Sequence, residues 1–114
     1  MGLTIALPLR LGSGLNAREH WRVRARRVRA ERAAVALYLA REQRPALPVR
    51  VELVRVAPSN GLDSDNLQGA LKACRDQVAA WLGTDDRDPR IAWVYAQERG
   101  AWGVRITITP TEAT

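Results

Sequence analysis

The chain has 114 residues, a formal net charge of +6, one cysteine and one histidine. That length suits a single domain, 1–114, with its own core. Cys74 and His20, each alone of its kind, exclude an internal disulfide and a Cys/His zinc site, so any metal must be held by oxygen.

No run of about 18 apolar residues occurs, and TIALPLRL has no basic leader, so a soluble cytoplasmic protein without a membrane partner is expected. The charge is divided unevenly. Residues 1–55 hold 12 Arg against 4 Glu, a balance of +8, whereas residues 56–114 hold 5 Arg and Lys72 against 8 acids, a balance of −2. A basic half points to a polyanion, nucleic acid ahead of an anionic membrane surface, because each Arg set against a phosphate releases counterions. Arginine-rich usage for its own sake is the alternative, since 17 of the 18 basic residues are Arg.

In chain order, LTIALPLR (3–10) alternates and contains Pro8, which predicts an edge strand. The loop LGSGLN follows. From Ala17 to about Gln43 no Pro or Gly interrupts a stretch dense in Arg, Ala, Glu and Leu, which predicts one long helix stopped by Pro45 and Pro48. Its half AAVALYLA packs, and the arginine-laden first turns meet solvent or a ligand. VRVELVRVA (49–57) reads as a half-exposed strand. Leu67, Ala70, Leu71, Cys74, Val78, Trp81 and Leu82 form one helical stripe, predicting a helix over 66–82 with Asp65 as N-cap and Gly83 as stop. RIAWVYAQE and WGVRITIT flank RGA as a hairpin. The expected architecture is α/β, a compact domain of βαβαββ order with a mixed sheet and two helices.

Four aspartates carry the chemistry: Asp63 and Asp65 before the second helix, Asp85 and Asp86 after it. In an extended segment residues two apart project to one side, so Asp63 and Asp65 can hold one Mg²⁺ or Mn²⁺ whose remaining positions go to water and phosphate oxygens. A turn with a helix cap explains the same two residues, and the two readings stay open on spacing alone. A calcium loop is excluded, because its sixth position would be Gln68 and its twelfth Cys74. Arg18, Arg22, Arg24, Arg26, Arg27 and Arg29 crowd one segment whose like charges a phosphate backbone would relieve, and His20 beside Trp21 suits a base or the backbone. Trp81, Trp93 and Trp102 fall on apolar stripes and are expected in core or dimer packing. No glycine loop for a nucleotide cofactor is present.

GLDSDNLQGALKACRDQVAAWLGTDD resembles the core of the RusA family of Holliday junction resolvases, with its D-x-D-N-L-x-K motif, helix and downstream acidic pair. LPLRLGSGLNAREHWRVRARR resembles the family's N-terminal strand, Asn-containing loop and basic segment. The resemblance implies a homodimeric, Mg²⁺-dependent endonuclease that cuts branched DNA. It implies Asp63, Asp65 and Asp86 as catalytic metal ligands, with Asp85 as understudy; Asn16, Arg18, His20, Trp21, Arg22, Arg24, Arg26, Arg27 and Asn66 are the residues expected at the DNA. Gly69 stands where the family motif has a catalytic lysine, and Lys72, the only lysine, lies one turn later as its substitute or as an ordinary solvated residue. A straight helix of about 17 residues spans roughly 25 Å, which would separate Asp65 from Asp86 within one chain unless the helix breaks at Gly69 or Gly83. A site shared across a two-fold dimer is the favoured expectation.

Overall fold

The computed structural model describes residues 2–11 and 20–112. The elements run β1 (Leu3–Leu7), α1 (Trp21–Leu39), β2 (Val49–Ala57), α2 (Ser64–Ala70), α3 (Lys72–Trp81), β3 (Ile91–Arg99) and β4 (Gly103–Pro110). They build one mixed sheet of order β1-β4-β2-β3, with β2 and β3 parallel and β4 antiparallel to both β1 and β2. The α/β class is as expected. No helix among the described residues is long and apolar enough to cross a membrane.

Pleating decides what faces the helices. Ile5, Ile106, Leu53 and Tyr95 share one row across the sheet, and Leu7, Val104, Arg55 and Gln97 share the next on the same face. The aliphatic members of these rows join Val35 and Leu39 of α1 and Leu67, Leu71, Cys74 and Val78 of α2 and α3 in one contiguous core. Val35 and Leu39 are fully buried, and each contributes about 1.5–3 kcal/mol through area removed from water. Glu31, Val35 and Leu39 lie four residues apart along the buried side of α1, while Trp21 and Val23 in its first turns are exposed. The helix ends at Leu39, short of Pro45. Leu39 is its last buried residue, so beyond it packing offers no reward for further turns.

Three expectations need correction. The hairpin of RIAWVYAQE and WGVRITIT does not form, because β2 lies between β3 and β4. β2 is apolar enough to sit in the sheet centre rather than half exposed, with Val54 and Arg55 buried besides the inner-facing valines. The β3–β4 connection therefore steps across its end. There Gly100 donates its N–H to Ala57 O (3.0 Å), and a Cβ on it would stand 3.0 Å from Val56. The second helix is two helices, broken at Leu71, whose φ of −93° and ψ of 1° leave the α region. Neither Gly69 nor Gly83 makes the break.

Gly83 does end α3. Its φ of 87° lets its N–H reach Ala80 O and the N–H of Thr84 reach Ala79 O, both at 3.0 Å, a Schellman turn. Gly83→Ala is expected to cost about 1–2 kcal/mol, a fall in Tm of about 4–8 °C on thermal melting.

Candidate active site

The loop that brings in the first aspartates is fastened to β3. The Gln97 side chain accepts from Leu62 N (2.9 Å) and donates to Leu62 O (2.7 Å), a two-bond clamp on an otherwise irregular segment. A Cβ on Gly61 would lie 2.9 Å from the Gln97 amide, so a larger residue there would press on the clamp. One residue past the clamp, Asp63 caps α2: its Oδ1 accepts from Asn66 N (2.9 Å) and Asn66 Nδ2 (3.0 Å), and its Oδ2 from Asn66 Nδ2 (3.1 Å). The cap is Asp63, not Asp65 as the stripe suggested. Asp65 lies in the first turn, exposed, and its carboxylate has no partner among the described residues.

The acidic loop after α3 doubles back along that helix. Arg75 holds it there, with its guanidinium donating to Asp86 O (2.9 Å) and to Tyr95 Oη (2.7 Å) and lying 4.7 Å from the Trp93 ring. Trp93 Nε1 donates to the same Asp86 carbonyl at 3.1 Å. Asp86 thus comes to rest beside the first turns of α3, where its Oδ2 pairs with Lys72 Nζ (3.1 Å) and Arg75 Nε (3.2 Å). Both cations take Oδ2, and neither reaches Oδ1. Lys72 also bonds Asp76 Oδ1 at 2.8 Å.

Asp65, Gly69, Lys72, Arg75, Asp86 and Tyr95, with Gln68, line one open cavity of about 450 Å³. Gly69 and Lys72 also line a second of about 240 Å³, bordered by Arg24, Arg27, Glu31 and Asp76. A single chain therefore supplies Asp65 and Asp86 to the same cavity, and the geometric ground for a site shared across a dimer is removed. The helix-length estimate placed Asp86 beyond the far end of α3, whereas the loop returns it to the near end.

The electrostatics follow from these contacts. The Lys72 hydrogen bond, with Coulombic help from Lys72 and Arg75, holds Asp86 below the usual carboxylate range. Asp76 first, then Asp86, raise the Lys72 ammonium above its ordinary value against a desolvation cost. Burial pushes the Cys74 thiol up to about 12, which leaves it an inert core residue.

The four expected ligands do not all converge. Among the described residues no group of three His, Cys, Asp or Glu is placed to hold one metal ion. Asp63 is engaged by Asn66, and Asp85 Oδ1 accepts from Arg87 N (2.8 Å) in a turn of its own. The remaining pair, an unengaged Asp65 and the Oδ1 of Asp86, is a hard-oxygen set of the size Mg²⁺ takes alongside phosphate and water. Asn66, expected at the DNA, is buried, with its side-chain amide donating to both Asp63 oxygens. His20 caps α1 by accepting from Arg22 N at Nδ1 (3.2 Å) and stacks on Trp21, a role that sequence reading missed. Trp21, Arg22, Arg24 and Arg26 are exposed, and Arg27 pairs with the buried Glu31 (3.1 Å). Asn16 and Arg18 lie outside the described residues. Trp93 and Trp102 are half-buried, and both rings face arginines.

Comparison with protein-family models found no match, and comparison with curated proteins found none.

Two outcomes test this geometry. Because the folded pKa of Asp86 lies below the unfolded value of about 3.9, its ion pairs stabilise the fold above that pH and are lost as pH falls through the folded pKa. Carboxyl NMR titration of Asp86 should give a midpoint under 3.9 in the parent, and Lys72→Met should move it upward. Gln97→Ala should lower stability by about 1–2 kcal/mol and speed amide exchange at Leu62, since two bonds to one peptide unit are lost.

Proposed function

We propose that the chain is a Mg²⁺-dependent endonuclease selective for branched DNA, of the RusA kind, with Mn²⁺ as a competent substitute. The observation that carries the reading is the meeting of Asp65, Lys72 and Asp86 at one open cavity within a single chain. Asp65 and Asp86 would hold the cation, and a bound divalent ion supplies Lewis acidity and a more acidic water. The chain's own residues do the rest. Arg75, Trp93 and Tyr95 fix the Asp86 peptide, and the Gln97 clamp fixes the loop leading to Asp65. Lys72 brings a positive charge to the cavity wall, where it can neutralise a phosphate oxygen. The exposed arginines of α1 suit the flanking backbone. Four-way junctions as substrate, a homodimer that makes two symmetric cuts and cytoplasmic residence complete the proposal through the resemblance of GLDSDNLQG.

Gly69 favours a second reading, a relative that captures junctions and cuts weakly or not at all. It leaves one wall of the cavity without the side chain that the family motif places there.

A synthetic four-way junction separates the two. Symmetric nicking with Mg²⁺ and none with EDTA is expected, falling on the order of 10²-fold or more in Asp65→Asn, Asp86→Asn and Lys72→Ala, while salt-sensitive junction binding persists. Tight binding without metal-dependent nicking by the parent would sink the enzymatic reading and leave the capture protein.

A further inference from the structure

Among the described residues Arg55 is the one buried arginine, and its position breaks the pattern of its strand. Along β2 the inward positions are Val49, Val51, Leu53, Arg55 and Ala57, so a guanidinium follows three aliphatic side chains on the helix-covered face. It is 5% exposed, yet no carboxylate pairs with it among the described residues, and its Nε is buried without an acceptor. The Trp102 ring lies 5.7 Å from its guanidinium and 4.5 Å from that of Arg10. Burial alone lowers its pKa, with no anion acting in the opposite direction.

Arg55 lines a cavity of about 260 Å³ with Ser59, Asn60, Gly61, Gln97 and Arg99, at the carboxyl ends of the parallel strands β2 and β3. The charges there do not cancel. Arg99 donates to a neutral partner, Asn60 Oδ1 (3.0 Å), while Glu98, the cavity's acid, has both oxygens engaged by Arg105. The floor is tied down, because the Gln97 clamp holds the Leu62 peptide next to Gly61. A buried fork of donors without an anion, a second cation at the rim and a preformed loop make a receptor for a tetrahedral oxyanion.

We infer that Arg55, Arg99 and the Ser59–Gly61 loop bind a backbone phosphate of a nucleic acid strand, a few residues along the chain from Asp63 and Asp65. The assignment to a strand rests on the nuclease reading. The oxyanion site itself does not.

The test reads binding without metal or cleavage. In EDTA at constant ionic strength, the full chain is titrated with inorganic phosphate and, separately, with a short single-stranded oligodeoxynucleotide, while amide and indole NMR signals are followed. Both ligands should shift residues 59–61 and the Trp102 indole, and phosphate should compete with the strand there. Arg55→Met should weaken both by about tenfold or more, Arg55→Lys by less, because the charge stays and the fork is lost. If Arg55→Met does not fold, Arg99→Met, at the exposed rim, should weaken phosphate several-fold in a folded chain. Shifts confined to α1, or unweakened phosphate binding by the folded Arg55 or Arg99 variant, would overturn the site. A strand that leaves these signals unmoved while phosphate moves them would overturn the assignment to nucleic acid. Asp65→Asn should retain all the shifts, so a chain that cuts nothing can still bear out the subsite.

Discussion

Trp93, Tyr95 and Gln97 alternate along the edge strand β3, so the pleat sends all three to the same face. Each fastens one piece of the candidate site. Trp93 bonds the Asp86 carbonyl, Tyr95 accepts from the arginine that grips the same carbonyl, and Gln97 clamps Leu62 one residue before Asp63. The two acidic segments, 23 residues apart between Asp63 and Asp86, are thereby tied to one strand over five positions. Aliphatic residues there would have added core area but left both loops without partners for their backbone groups.

That division of labour depends on where β3 sits. The central strand β2 meets neighbours on both sides and supplies valines and a leucine to the core, whereas β3 pairs on one side only among the described residues and has half-buried residues. Half burial suits side chains that combine an apolar body with a polar tip, as Trp and Tyr do. It also explains why the chain steps over β2 to reach β4. A tight β3–β4 hairpin would have displaced β2 from the centre and exposed its buried side chains to water.

Much of the fold was legible in the residues, and the misses share a cause. The stripe from Leu67 to Leu82 identifies the buried side of α2 and α3 because helical periodicity survives a one-residue break, yet the same property hides the break at Leu71. RGA between two alternating segments signals a short connection but not which strands pair across it. The metal-or-cap ambiguity at Asp63 and Asp65 resolves in part: Asp63 caps, and Asp65 stays open to the cavity. The fold-back of Asp86 depends on Arg75, whose partners are 11 and 20 residues away, and no local spacing rule reports such contacts. Arg55 did leave a signal. In VRVELVRVA the charged residues fall at 50 and 52 and then at 55, a change of phase that places the last on the apolar face.

The charge state of Lys72 limits what it can do in the proposed reaction. Two carboxylates hold its ammonium and raise its pKa, so near neutral pH it keeps its proton and cannot serve as a general base. In the nuclease reading its contribution would be charge neutralisation, the role for which a motif lysine at position 69 would also serve. The two positions are not equivalent. Lys72 is paired with Asp86, so each phosphate oxygen it meets competes with a carboxylate already in place, and that competition weakens as Asp86 turns its charge toward a cation. In the nuclease reading, a cation held by Asp86 would leave Lys72 with Asp76 as its remaining carboxylate partner and freer to meet the phosphate. This gives a physical reason why a lysine at the start of α3, rather than at position 69 in α2, need not abolish the site.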